Sequence, residues 1–167
     1  HQIALSMASF TFNLCVGFSV ASTVMIGRKL GEKDFVNLEK VGFNNLKIAF
    51  IFMLMCGLVF ILGKDVLPTF FTKKEDIAVV ELASQLMIIA ALFQLSDGIQ
   101  VTALGCLRGI QDVKIPSILT FIAYWVITIP LGYYLTVPMK MGAFGMWIAL
   151  GIGLTISAVL LVIRFRN

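Results

Sequence analysis

Asp97 is the residue best placed to do chemistry in this chain. It lies in the run Ala90-Ala91-Leu92-Phe93-Gln94-Leu95-Ser96-Asp97-Gly98-Ile99-Gln100 and is the one acid inside a membrane-length apolar segment. The remaining acids fall in polar gaps or near segment ends. A charged side chain at a bilayer centre costs at least ~2.5–3.5 kcal/mol on insertion scales, so it is retained for a reason. Two readings stand. Asp97 marks an ion or substrate pathway, or it is hydrogen-bonded to polar neighbours and fixes helix packing. Apart from Lys47 at the edge of one of them, the apolar segments contain no Lys or Arg to neutralise it, which favours the first. A cation and a proton would then compete for one carboxylate, and Asp97 is the candidate metal ligand as well as the candidate proton site.

Polar neighbours extend the candidate site. Gln94, Asp97 and Gln100 are spaced three residues apart and share one arc of a helix, and Phe93 lies one turn before Asp97. At ~1.5 Å per residue, Asp97 is roughly 16 Å from the Arg108 end, close to the midplane of a ~30 Å hydrocarbon core. An earlier segment carries Gln2, Ser6, Ser9 and Asn13 along one face, continued by Gly17 and Ala21. That face should meet other helices or a wet cavity, because lipid cannot satisfy amides and hydroxyls. A later segment offers Ser117, Thr120, Tyr124 and Thr128 along one side. Together the three faces predict one polar cavity, with Asn13, Phe93, Gln94, Gln100, Thr120 and Tyr124 as lining candidates.

The elements that must position these residues are membrane helices. Apolar residues make up 59% of the chain and charged residues 13%, whereas a soluble domain has ~45–50% and ~25%. The fold class is therefore an all-α integral membrane protein. A spanning helix needs ~20 mostly apolar residues. Five such spans are readable, at about Gln2–Gly27, Leu46–Gly63, Ser84–Leu107, Ile115–Val137 and Gly142–Ile163. The intervening stretch Arg28–Asn45 reads as a polar loop or interfacial helix, with Phe35, Leu38 and Val41 as a partial apolar face. Pro116 falls in the first turn of the fourth span, where its missing N–H is no loss. Pro130 lies inside that span and should kink it, either as a hinge or as a fixed shape.

Basic residues sort the connections. Arg28, Lys29, Lys33, Lys40, Lys47, Arg108, Lys114, Arg164 and Arg166 belong to one side, and Lys64, Lys73, Lys74 and Lys140 to the other. The positive-inside rule puts the first set in the cytoplasm. The net charge of +4 is thus a topology signal, and with no basic patch interleaved with aromatics a nucleic-acid partner is not expected. Cys15, Cys56 and Cys106 fall in three different apolar segments without metal spacing, as small hydrophobic filler would. The chain has no initiator Met or signal sequence and opens at once into an apolar segment. It is expected to be a piece of a longer protein. No catalytic constellation or phosphate-cradling glycine loop occurs, so neither an enzyme nor an ATP-driven pump is expected, and no organic cofactor.

Several stretches resemble the multidrug and toxic compound extrusion (MATE) family. They are Phe93 to Gln100; Gly105-Cys106-Leu107-Arg108-Gly109-Ile110-Gln111-Asp112-Val113-Lys114-Ile115-Pro116; Thr120 to Val126 with Ile129-Pro130-Leu131-Gly132-Tyr133; Gly145-Met146-Trp147-Ile148; and Gly27-Arg28-Lys29-Leu30-Gly31. The resemblance implies a twelve-helix exporter of two six-helix lobes, a multi-pass protein of the cell inner (plasma) membrane, of which this chain matches the last five helices. It implies drug efflux driven by Na⁺ or H⁺, with the missing N-terminal lobe, membrane lipid and drug-like small molecules as partners. Asp97 matches an acid that takes part in cation binding in one branch of the family. Some members have Tyr four residues earlier, where this chain has Phe93. Two alternatives are a related lipid-linked oligosaccharide flippase, which would favour a cationic cavity that these spans lack, and a membrane scaffold without transport.

Overall fold

The structure, a computed structural model, describes residues 2–63 and 77–166, and of residues 2–5, 7–8 and 77–87 the backbone alone. It is helical throughout the described residues apart from short turns. The elements are α1 (Gln2–Gly31), α2 (Phe35–Leu62), α3 (Ile77–Gly109), α4 (Lys114–Phe121), a π-helical segment (Ile122–Thr128), α5 (Ile129–Thr136) and α6 (Ala143–Arg166). The segments from α4 to α5 run on as one rod, so the described residues form five helices long and apolar enough to cross a membrane. The central helix is α3, which packs against α1, α2 and α6.

The stretch Arg28–Asn45 departs from the sequence-based expectation. It is neither a loop nor a separate interfacial helix. Instead α1 runs on to Gly31 and α2 starts at Phe35, with only Glu32–Asp34 between them. Local chemistry makes the tight turn. Lys33 takes a left-handed φ of 57°. The Asp34 N–H reaches the Lys29 carbonyl at 3.1 Å and the Lys33 N–H reaches the Leu30 carbonyl at 3.0 Å, the Schellman pattern that closes a helix. Asp34 then caps α2, its Oδ1 accepting from the Asn37 N–H at 3.3 Å. Asn37 hydrogen bonds hold the Asp34 carboxyl below the usual carboxylate range, and Lys29 and Arg28 do the same for Glu32. The helix continues because Gly42, Leu46, Ala49 and Met53 form a buried stripe, while Glu39, Lys40 and Lys47 lie on the exposed side.

Two apolar clusters hold the bundle. One joins Phe60 of α2, Ala90 and Ala91 of α3 and Trp147 of α6. The other, nearer the Arg108 end, joins Ile26, Leu46, Ala103, Cys106, Leu107, Leu161 and Phe165. At that end Arg164 Nε pairs with Asp112 Oδ2 at 2.8 Å, tying α6 to the turn after α3.

The α1–α3 seam is built from small residues. A Cβ on Gly105 would run into the Ser19 backbone carbonyl, and one on Gly109 would lie 2.7 Å from Ile26 Cβ. The Thr23 hydroxyl crosses the seam to the Gly105 carbonyl at 2.8 Å. The GxxxG spacing of Gly105 and Gly109 therefore marks a close helix–helix approach. The buried face of α1 is Thr11, Cys15, Ser19, Ser22 and Ile26. The stripe singled out by polarity lies elsewhere: Ser6, Ser9, Asn13, Gly17 and Ala21 are exposed, and the Gln2 side chain is outside the described residues.

Candidate ion site

Asp97 sits at mid-length of α3 and is half-buried. The next residue, Gly98, lies against Met53 of α2 and Cys15 of α1. This turn of α3 thus packs on α1 and α2, and one turn further on Gln100 meets Tyr124 of the fourth span. Among the described residues Asp97 has no salt bridge and no hydrogen bond, and no group of three or more His, Cys, Asp and Glu stands ready for a metal ion.

The predicted cavity-lining residues divide into two sets. Gln100 and Tyr124 come together: the Tyr124 hydroxyl donates to Gln100 Oε1 at 2.8 Å. Gln94 is 2% exposed, and both its amide nitrogen and its oxygen lack a partner. The other three are directed away. Asn13 is on the exposed face of α1 and donates to the Ser9 carbonyl of its own helix at 2.9 Å. The Thr120 hydroxyl bends back to the Pro116 carbonyl at 2.9 Å. Phe93 leans toward α6, its ring centroid 5.5 Å from that of Trp147. With Trp147 it lines an open apolar groove of about 540 Å³ between α3 and α6, whose polar member, Thr155, bonds to Ser96 at 2.8 Å. The structure thus does not gather one cavity from three polar faces.

Pro130 is exposed and stands in the first turn of α5. The irregularity it announces lies upstream. Residues 122–128 are π-helical, and the Ile129 N–H bonds to the Tyr124 carbonyl, five residues back. A proline removes one amide donor and crowds the carbonyl one turn earlier, and a wider turn accommodates both. Cys15 is buried, as small filler would be, whereas sequence reasoning missed the pair Thr128–Gly153, where α6 meets this segment. The one available signal for the pair was a glycine and a small hydroxyl on facing membrane helices.

A bundle of five helices long and apolar enough to cross a membrane, with an acid inside the span Ile88–Gly109 that lacks a hydrogen-bond or salt-bridge partner among the described residues, defines a multi-pass membrane protein. The MatE family model matches residues 1–134, and the chain belongs to that family. It is 40% identical over 166 residues to the probable multidrug resistance protein NorM of Xylella fastidiosa, covering 99% of this chain and 35% of that protein. It is 36% identical over 170 residues to the multidrug resistance protein NorM of Photobacterium profundum, covering 99% and 37%. The chain therefore spans about a third of the length of these curated relatives. The crystal structure of the eukaryotic MATE transporter AtDTX14 superposes with a TM-score of 0.90 at 21% identity, over 98% of this chain and 36% of that one. The expected fold class, an all-α membrane protein with five spans of a MATE-type bundle, is the one observed.

Proposed function

We propose that this chain is the C-terminal-lobe part of a cation-coupled antiporter that exports amphipathic organic cations, with Asp97 as the site where Na⁺ or H⁺ binds. The observation that carries this reading is the position of Asp97: half-buried, near the middle of the apolar span Ile88–Gly109, without a charged or hydrogen-bonded partner among the described residues. A carboxylate in such a place is stabilised by a proton or a cation, and ionisable groups inside membrane segments mark transport pathways. The multidrug resistance names of the relatives support an efflux role. Met and aromatic side chains suit the apolar bulk of such substrates, and cation–π contacts of ~0.5–2 kcal/mol each give broad, modest affinity. The remaining lobe of the transporter and the lipid bilayer complete the working unit.

The test is Asp97→Asn in the complete transporter, assayed in energised vesicles. Ion-driven efflux of a lipophilic cation should be abolished while expression and membrane insertion stay at wild-type levels. Efflux that keeps its dependence on the Na⁺ or H⁺ gradient would remove Asp97 from the ion site. A substrate profile limited to anions would overturn the substrate class.

A further inference from the structure

The π-helical segment is the one break in the helical register of the membrane spans among the described residues, and its first turn holds Tyr124. Gln100, which takes the Tyr124 hydrogen bond, is 5% exposed and stands one turn after Asp97 on α3. A buried glutamine amide has several rotatable bonds and needs a partner to hold one orientation. Tyr124 supplies that partner from another helix. The register of the segment is itself fixed. The Thr128 hydroxyl donates to the Ala123 carbonyl, five residues back, at 2.9 Å. Thr128 is buried against Gly153 of α6, so closely that a Cβ on Gly153 would overlap the hydroxyl. Closing the wide turn to α-helical register would turn the residues before it by about 100° relative to α5, and would carry Tyr124 away from Gln100.

We infer that Tyr124 is a positioning residue of the ion site: its hydroxyl fixes the Gln100 amide beside Asp97, and the π-helical turn locked by Thr128 and Gly153 aims it there. The inference rests on Asp97 being the ion site. Occupancy at Asp97 and the register of the fourth span are then linked through one hydrogen bond. Among the elements packed on this turn of α3, α1 presents Cys15, α2 presents Met53, the π segment presents Tyr124, and α6 carries its charges, Arg164 and Arg166, at its far end.

The experiment compares Tyr124→Phe, Gln100→Leu and the double variant in the complete transporter, with Asp97→Asn alongside. The readouts are the half-saturating Na⁺ concentration and the pH midpoint of efflux, separated from maximal rate and from substrate KM. Loss of one hydrogen bond to a buried amide corresponds to about a fivefold change in an equilibrium constant. Tyr124→Phe should therefore raise half-saturating Na⁺ about fivefold, or move the pH midpoint by a similar factor in proton concentration. Expression should stay at the wild-type level, and the shift in ion dependence should exceed any change in substrate KM. The double variant should shift no further than the larger single one, because the two residues act through one bond. Thr128→Val, which keeps the shape and removes the register bond, should shift the same readout in the same direction by about twofold to threefold. If Asp97→Asn abolishes ion-driven efflux while Tyr124→Phe leaves the ion dependence unchanged, or if the single shifts add, the positioning role is overturned and the ion site stands. If Asp97→Asn leaves the ion dependence intact, the ion site itself falls.

Discussion

Two stretches of α3, about three helical turns apart, handle polar groups in opposite ways. Around Gly105 and Gly109 the helix has no side chain to offer, and α1 comes close enough for Thr23 to reach the Gly105 carbonyl and for Ile26 to rest on Gly109. Around Gln94 and Asp97 the helix carries an amide and a carboxyl, and no described residue bonds to either. One end of the helix is joined to its neighbours by backbone contact, the middle by side chains that leave polar capacity unused. A buried amide left unmade costs about 1–3 kcal/mol per group. Keeping Gln94 and Asp97 in this state is a stability loss that the packed end offsets. The comparison places tight packing at the Gly105 end and the proposed ion site at the Asp97 turn, and substitutions at each should move one property and spare the other.

The largest effect is expected at the seam. Gly105→Ala puts a methyl group into the Ser19 backbone, which no rotamer change can relieve. Overpacking typically costs about 1–3 kcal/mol, and contact with backbone belongs at the upper end. The complete protein should lose about 3 kcal/mol of stability in detergent unfolding, with much less of it reaching the membrane. Wild-type stability would mean that α1 and α3 separate without cost, and the contrast between the two regions would collapse.

A smaller effect of opposite sign is expected at Gln94. Gln94→Met keeps the length of the side chain and removes two unpartnered polar atoms. Stability should rise by about 1–2 kcal/mol, measured by the same unfolding assay. A fall would mean that water or the other lobe satisfies the amide in the working protein, and would move Gln94 from unused capacity to structural contact.

How much of this was legible from the residues varies with the physics involved. The spans follow from apolar length, which is a property of composition along the chain. The early start of α2 was hidden because Glu39, Lys40 and Lys47 raise the local charge, and only the periodic positions Gly42, Leu46, Ala49 and Met53 reveal a buried stripe. On α1, polarity drew the eye to Ser9 and Asn13, whereas packing selected the small residues Cys15, Ser19 and Ser22, whose value lies in what they leave out. Asp97 drew attention by residue type alone, as the one acid inside an apolar segment. Tyr124 followed from its helical face, but Phe93 did not: one turn from Asp97 along the chain, it turns to Trp147. The π register was not legible, because it depends on which carbonyl each amide chooses, and Pro130 marks only the neighbourhood.

The smallest effect sharpens the same contrast from outside the membrane. Gln111 ends α3 in a left-handed conformation with φ of 63°, its N–H bonded to the Arg108 carbonyl at 2.9 Å while the Asp112 N–H reaches the Leu107 carbonyl at 3.0 Å. An L-residue in that conformation is strained by roughly 1–2 kcal/mol, and glycine is the usual occupant of this position. Glycine also gains more freedom in the unfolded chain, roughly 0.5–1 kcal/mol, which opposes the benefit. The Gln111 side chain is exposed and makes no hydrogen bond to a described residue, so little is lost with it. Gln111→Gly should therefore stabilise the complete protein by about 0.5 kcal/mol and leave half-saturating Na⁺ and maximal efflux unchanged. A change in ion dependence from this position would mean that the packed end of α3 communicates with Asp97, and the division of labour along the helix would not hold.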